Sequence, residues 1–561
     1  MKLEIYNFRG IKEAKINFDE KTNFSCFIGP GDSGKTTILT AIQWLFNPSW
    51  NLMVSDTDFY RCQIENPIRI VGTIADFPTD MYSEDKFGFY LQRPPSEITD
   101  LNDEPISHKA LCLTISLTID RDLEPKWEVE TARREPKVIS ANERRKLNVN
   151  LIGYNCDRDL TWGKYSILRK LLEGAQTHIK SAQTELFRNA SSSTKFKELD
   201  QLGDVIDSVG KEMSVKLSAP VESKLLLAGT QFSTLIALTE ENVPFTQRGQ
   251  GSQRLLSMGL HFKAWANNGM LLIDEIELGL EPSRIRSLIN LLTNIAETKG
   301  TQIIITTHSP ITLSECSANQ IEVVRTGKDG LVESFNLGNC NDLFDIKDLI
   351  RLQPATLLCR RIIICEGETE VGIVRAIDKF LRKNKNFPMS YQGVDVISGR
   401  GDSTLNFAKH LSNLGYKVCV LMDSDKDLES AKNELRKRES IEIFDCEQGC
   451  AIEEQIFRDV SPEVAEKILA ILLVDKDAVN KISSHLSEAK IPYKKEGNRI
   501  RITGNYDLVG NLAKENRWFK NEDRGLSLGE VILDSMDSLR SDSTLRKNLE
   551  NLIKWIMHND D

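Results

Sequence analysis

Apolar and polar positions alternate with period two at the start of the chain. LEIYNF and KINF read as short strands, and SCFIG is an apolar run that ends in a glycine-rich turn. The turn leads into TTILTAIQWLF, whose apolar spacing is helical. Further strand-like runs, IRIVGTIADF and LCLTISLTID, fall within residues 65–125. From about Tyr165 to Met213 the pattern turns helical and polar, with a serine-rich break at Ser191–Ser193. Such an insertion is expected to be a dimerisation or spacer arm rather than a site. Apolar strands return in MLLIDE and QIIITTH, each linked to a helix, so this part is expected to be α/β with largely parallel strands.

A composition shift near Gly338–Gln353 opens a second pattern. RIIICEGETEVGIVRAIDKFL is strand, turn and helix. VDVISG, a helix through NFAKHLSNLG, and YKVCVLM ending at DSDKD continue a βαβ rhythm. From about residue 451 the chain is mainly helical, with a short strand pair near IPYKK and NRIRITG. The expected division is a first domain in two pieces, 1–160 and 231–345, interrupted by the helical insertion 161–230, then a smaller α/β domain with a helical extension over 355–561.

Length and composition leave this picture standing. A chain of 561 residues calls for two to four cores. With 40% hydrophobic and 27% charged residues it has the profile of a soluble globular protein. No apolar run approaches the roughly 20 residues that span a bilayer. MKLEIYNFRG lacks the apolar stretch and cleavage site of a secretory signal, so a cytoplasmic protein with no membrane association is expected. The eleven cysteines are scattered, and only Cys446 and Cys450 are close, with no second Cys/His pair, which weighs against structural zinc and a disulfide framework. The formal net charge of −10 excludes no nucleic-acid partner, because phosphate binding needs only local positive charge. Two basic clusters, Arg133, Arg134 and Lys137 with Arg144, Arg145 and Lys146, and then Arg436, Lys437 and Arg438, read as solvated faces.

Three elements carry nucleotide chemistry. Residues 29–36 fit the phosphate-binding loop G-x-x-x-x-G-K-[ST], with an apolar strand before it and a helix after it. Gly29, Gly31, Asp32, Ser33 and Gly34 let backbone N–H groups wrap phosphates at a helix N-terminus, with Thr37 next in line. Lys35 is placed for the outer phosphates of ATP and Thr36 for its Mg²⁺. The strand MLLI ends at Asp274 and Glu275: the first would hold the Mg²⁺ shell, the second would orient or deprotonate the attacking water. IIITTHSP ends a third strand at His308, where a γ-phosphate-sensing histidine is expected. Together these resemble the ABC-type ATPases of the RecF/SMC class, whose openings often carry a run like Asn7, Phe8 and Arg9. The resemblance implies that a signature loop from one subunit completes the ATP site of another. Gly249, Gly251 and Ser252, in a segment that is not L-S-G-G-Q, take that role, which requires at least a homodimer.

The second domain carries acids. Glu366 stands at the tip of strand RIIIC and Glu370 one helical turn later, so both can face one point. YKVCVLM ends at Asp423 and Asp425, which an extended tip turns to one side. Parallel strands bring both pairs to one sheet edge. Four carboxylates there cannot all ionise without a compensating cation, and an oxygen-only set suits Mg²⁺ or Mn²⁺. This pattern resembles the Toprim domain, to which Glu366, Gly399 or Gly401, Asp423 and Asp425 correspond in turn. A RecF/SMC-like ABC-type ATPase followed by a Rossmann-like Toprim domain is similar to the OLD (overcoming lysogenization defect) family of ATP-dependent endonucleases. That resemblance implies DNA cleavage by two-metal hydrolysis, a homodimer or higher homo-oligomer, and a role in anti-phage defence, with room for a defence-system partner protein or nucleic acid. It also implies a further acid, Glu454 with Glu453 as its rival, and a catalytic lysine, Lys520, that neutralises the transition state.

Two other functions stand beside this one. A topoisomerase or primase would need a tyrosine nucleophile domain or a zinc module, neither of which is recognisable. An ATP-driven repair or sensor clamp would use the acidic domain only for binding. For the nucleotide site, Lys35→Ala is expected to abolish ATP binding and Glu275→Gln to trap ATP without turnover, both read by nucleotide retention on the purified protein.

Overall fold

The computed structural model describes residues 1–19, 22–94, 111–153, 156, 159–162, 166–171, 197–215, 217–219, 221–228, 233–264, 269–339, 343–497 and 499–558. Residues 172–196, the middle of the expected helical insertion, lie outside these residues. The chain divides into two compact units, Met1–Asn339 and Cys340–Asp561.

In the first unit, twelve strands form one sheet: β1 (Lys2–Phe8), β2 (Ile11–Asn17), β3 (Phe24–Ile28), β4 (Ile68–Ile74), β5 (Leu113–Ile119), β6 (Pro125–Thr131), β7 (Arg134–Val138), β8 (Val149–Ile152), β9 (Met270–Ile273), β10 (Gln302–Thr306), β11 (Ile321–Thr326) and β12 (Leu331–Asn336). Their order is β7-β6-β5-β4-β1-β2-β12-β11-β3-β10-β9-β8. From β8 to β11 every neighbour is parallel. From β2 to β7 every neighbour is antiparallel. The expectation of largely parallel strands therefore holds for the nucleotide-loop half only. Connections as short as the one between Phe8 and Ile11 can only make hairpins, whereas parallel neighbours need a crossover. Helix α1 (Lys35–Leu45) buries Ile38, Leu39, Ile42 and Leu45 against the sheet, and the Trp127 indole donates to the Trp44 carbonyl (3.1 Å).

In the second unit β13 (Arg361–Cys365), β14 (Val394–Ser398), β15 (Lys417–Met422) and β16 (Ile441–Asp445) form an all-parallel sheet, order β14-β13-β15-β16. All five residues of β13 are buried. Each of its isoleucines contributes about 1.5–3 kcal/mol by leaving water, and Arg361 at its start donates to the carbonyls of Trp555 (2.6 Å) and Ile556 (2.9 Å). The register pairs Cys365 with Leu421, so the carboxyl ends of β13 and β15 lie side by side. Helices α2 (Gln250–Ala264), α3 (Pro282–Lys299) and α4 (Pro310–Glu315) belong to the first unit. The second holds α5 (Glu368–Lys385), α6 (Thr404–Asn413), α7 (Glu429–Leu435), α8 (Ile452–Asp459), α9 (Pro462–Leu472), α10 (Lys476–Glu488), α11 (Tyr506–Glu515), α12 (Glu522–Asp534) and α13 (Thr544–Met557). The expected late strand pair is the hairpin β17 (Tyr493–Glu496) and β18 (Arg499–Ile502). Among the described residues no helix is long and apolar enough to cross a membrane.

One buried acid in β11 sets a pH dependence. Glu322 is 2% exposed, and burial pushes its carboxyl up to about 7, with the Asn336 amide (2.7 Å) pulling the other way. Unfolded, it would titrate near 4.5. Between these values the folded state holds the extra proton, so the group costs nothing below about pH 4.5 and its penalty grows until pH passes 7. Glu322→Gln should raise stability by about 1–3 kcal/mol above that range and leave it unchanged below, measured by urea unfolding.

Candidate functional sites

In the first unit β3 delivers residues 29–34 to the start of α1. Gly29 runs at φ 150 against the Val324 carbonyl, where a Cβ has no room. Gly31, Asp32 and Thr36 are exposed, Gly34 and Thr37 half-buried, and Ser33 and Lys35 buried. Lys35 Nζ donates to the carbonyls of Gly29 (3.1 Å) and Pro30 (2.8 Å) and to Ser33 Oγ (3.2 Å). Burial brings its pKa down to about 8, against the pull of Asp274 and Asp32. Thr36 Oγ1 (3.1 Å) and Thr306 Oγ1 (2.6 Å) both donate to one oxygen of Asp274, at the end of β9. Three distant segments therefore meet at one carboxylate.

The residues around this carboxylate are held by the backbone. Arg254 of α2 donates to the carbonyls of Asp274 (2.6 Å) and Glu275 (2.8 Å). Glu275 adopts φ 43 and its N–H donates to Thr306 Oγ1 (2.8 Å). A left-handed non-glycine residue costs about 1–3 kcal/mol and such strain gathers at functional positions. His308 is exposed on one side, and partial desolvation of its ring together with the nearby Lys35 charge lowers its pKa. Its N–H donates to Glu277 Oε1 (2.6 Å), while Thr307 Oγ1 donates to Glu277 Oε2 (2.6 Å). Glu277 thus fixes the histidine turn, a role the sequence did not single out although it alternates with Glu275. Gly249 faces open space, and Gly251 lies so close to the Gly279 carbonyl that a side chain would collide. Arg284 reaches Ser252 Oγ at 3.5 Å. Gly251 therefore has a packing reason of its own.

In the second unit Glu366 and Asp423 meet at the sheet edge: the Asp423 N–H donates to Glu366 Oε2 (3.0 Å). Glu370, 1% exposed in the first turn of α5, accepts from the Gly367 N–H (3.0 Å). Asp423 Oδ1 accepts from the Ile452 N–H at the start of α8 (2.7 Å). Burial, then Glu370, Glu366 and Glu453, push Asp423 up to about 8. Burial and the same crowd hold Glu370 at about 7. Lys520 stands across from them: burial lowers its pKa, but Glu453, Glu370, Asp423 and Glu366 outweigh it and the net shift is upward. Glu366, Glu370, Asp423, Arg400 and Lys520 line a cavity of about 350 Å³. Both glycine candidates have a local reason: Gly399 abuts Thr404, and Gly401 adopts φ 75 while its N–H donates to the Glu366 carbonyl (2.8 Å).

Two expected ligands do not join this group. Asp425 (3.1 Å) and Glu454 (3.3 Å) are bridged by Lys514 Nζ, and Glu454 also accepts from the Ala451 N–H (2.6 Å). One residue of helical rotation decides the matter: Glu453, not Glu454, turns toward Glu370 and Asp423. Glu453 is 1% exposed and neither of its oxygens has a hydrogen-bond partner among the described residues. Among those residues no three His, Cys, Asp or Glu side chains are drawn together tightly enough to enclose an ion as they stand. The unpartnered Glu453 oxygens and the crowded, oxygen-only donors nevertheless fit a hard divalent cation. Lys432 was also missed. Buried in α7, it donates to the Asp423 carbonyl (3.2 Å), Ser424 Oγ (2.8 Å) and Asp445 Oδ2 (2.9 Å), bracing the acidic loop from behind.

Lys520 reaches the site through glycines. A Cβ on Gly372 of α5 would strike the Glu522 carbonyl, one on Gly525 of α12 the Thr369 carbonyl, and one on Gly529 the Ala376 side chain (2.6 Å). The two helices cross at backbone contact, and Thr369 Oγ1 donates to the Phe519 carbonyl (2.9 Å), one residue before the lysine.

Comparisons with known proteins agree with this two-part layout. Residues 1–160 and 126–312 match the AAA ATPase domain family, and residues 357–425 match the overcoming lysogenization defect protein-like Toprim domain. The chain is 22% identical over 620 aligned positions to Old nuclease of Escherichia phage P2, covering 99% of each protein. It is 23% identical over 352 positions to OLD nuclease of Thermus scotoductus, covering 59% of this chain and 63% of that one. Among solved structures it is similar to an Smc head bound to the C-terminal winged-helix domain of ScpA (TM-score 0.37, 16% identity, 60% of this chain and 96% of the other). The SMC head domain of Thermotoga maritima gives a TM-score of 0.29 at 13% identity, with coverages of 60% and 97%.

Overpacking the helix crossing tests how Lys520 is positioned. Gly525→Ala should push α12 off α5 and cost about 1–3 kcal/mol in urea unfolding, whereas Gly10→Ala, with open space where its Cβ would sit, should cost less.

Proposed function

Because the chain belongs to the OLD family, an AAA-type ATPase domain joined to an OLD-like Toprim domain, we propose that it hydrolyses ATP and cuts DNA at a divalent-metal centre in its second unit. The observation that carries this reading is the meeting of Glu366, Glu370, Asp423 and Glu453 opposite Lys520. Relatives named Old nuclease add support. A homodimer or larger homo-oligomer, ATP gating of cleavage, and a role in anti-phage defence complete the proposal.

The residues divide the work as follows. Glu366, Glu370, Asp423 and Glu453 would hold Mg²⁺ or Mn²⁺. When bound, such an ion polarises the phosphodiester and lowers the pKa of water. Asp423 is held for this by two backbone contacts, its own N–H on Glu366 and the Ile452 N–H on its carboxylate. Lys520 remains charged beside the acids and is placed to meet the negative charge that builds on the phosphoryl oxygens. Asp425 and Glu454 hold Lys514, so their part in a second ion would require that lysine to withdraw. In the first unit Lys35 would leave its loop carbonyls for the outer phosphates, Thr36 and Asp274 would share the Mg²⁺ shell, and Glu275 would orient water beside His308.

Plasmid cleavage with Mg²⁺ or Mn²⁺ tests the site. Asp423→Ala should abolish cutting and leave ATP binding intact; normal cutting by that variant would overturn the assignment. Glu453→Gln should slow cutting by about tenfold or more, and Glu454→Gln by much less, since one carboxylate ligand is worth a few kcal/mol of charge stabilisation.

A further inference from the structure

Residues 462–502 run helix, three-residue turn, helix, hairpin: α9, then Leu473, Val474 and Asp475, then α10, β17 and β18. Asp475 caps α10, accepting from the Ala478 N–H (2.7 Å). Val464, Ile468 and Leu472 of α9, Val479, Ile482 and Leu486 of α10, and Ile500 and Ile502 of β18 are buried in one core. This is the chain order of a helix–turn–helix followed by a wing, a unit whose second helix enters a DNA groove in known complexes.

The charge on this element is what a phosphate backbone would select. Residues 475–502 carry seven Lys or Arg and four Asp or Glu, in a chain whose formal net charge is −10. In the hairpin register Lys494 lies opposite Arg501 and Glu496 opposite Arg499, so three cations share the face away from Ile500 and Ile502. Arg501 is paired with Glu466 of α9 (2.9 Å), which leaves Lys494 and Arg499 as the cations of that face open to an external anion. Lys476, Lys481, Lys494 and Arg499 are exposed and have no side-chain partner among the described residues. The basic clusters prominent in the sequence are spent differently: Arg144 is buried on the carbonyls of Asn47, Ile139 and Ser49, Arg436 pairs with Asp445, and Arg438 with Asn413. The element also touches the acidic site's scaffold, because α9 packs on α12, the helix that follows Lys520.

We infer that α10 and the β17–β18 hairpin form a docking surface for the backbone of duplex DNA, holding the substrate of the proposed nuclease against the second unit. The inference takes its substrate class from that reading, but binding tests it without cleavage.

The experiment is fluorescence anisotropy of the full-length protein with a labelled duplex of about 30 base pairs, in EDTA, across a salt series. The double variant Lys494→Glu with Arg499→Glu should bind at least about tenfold more weakly and lower the salt slope by about two, at unchanged ATP turnover. Lys476→Glu with Lys481→Glu should act in the same direction, and decides the matter if the hairpin variant does not fold. Wild-type affinity and slope in both variants would overturn the inference. Metal-dependent cutting that never occurs, with the binding loss intact, would remove the nuclease reading and leave the docking surface standing.

Discussion

The acidic site of the second unit is built around the contact between the Asp423 N–H and the Glu366 carboxylate (3.0 Å). It exists because β13 and β15 are parallel neighbours with Cys365 opposite Leu421, which sets the two strand tips level. Level tips force acids together, and the crowding is costly: Asp423 is driven to about 8 and Glu370 to about 7. The surrounding fold works to bear that cost. The Ile452 N–H, Lys432 and Lys520 each bring positive charge or a donor toward the acids from a different element.

Both units solve a similar problem in a similar way. Each places an acid at the carboxyl end of a parallel strand and secures it with groups from elsewhere in the chain. Asp274 receives Thr36 and Thr306, while Arg254 grips the carbonyls beside it. Asp423 receives Ile452, while Lys432 grips its carbonyl. Each unit also keeps a lysine on main-chain oxygens, Lys35 on its own loop and Lys432 behind the acidic turn. Lys432 is held from two sides, by the Asp423 carbonyl and by the Asp445 carboxylate, so it ties the acidic turn to the next strand.

The helical extension supplies a wall of the acidic cavity, through Lys520. Lys520 owes its position to glycines on α5 and α12 that let two helices touch along their backbones. The same extension carries α9, α10 and the basic hairpin, so Lys520 and that cationic face are built on one continuous core. That sharing explains why a chain with a formal net charge of −10 can still offer a phosphate-friendly surface: the positive charge is local.

By itself the sequence determined the alternation of strands and helices, the phosphate loop at residues 29–36, the acids at the strand tips and the existence of two α/β parts, because period and spacing are local properties that survive in one dimension. It also pointed to Lys520, though only through family resemblance. The tertiary structure decided what depends on rotation and approach. Adjacent glutamates are equivalent in a sequence, yet one residue of helical turn sends Glu453 into the acidic crowd and Glu454 to Lys514. Basic clusters look alike until their partners are known, and only contacts separate the buried Arg144 from the exposed Lys494. The pairing of β1 with β4 and the Glu277 clamp on the histidine turn likewise join residues far apart in the chain. Their meeting follows from how elements pack, which no local pattern records.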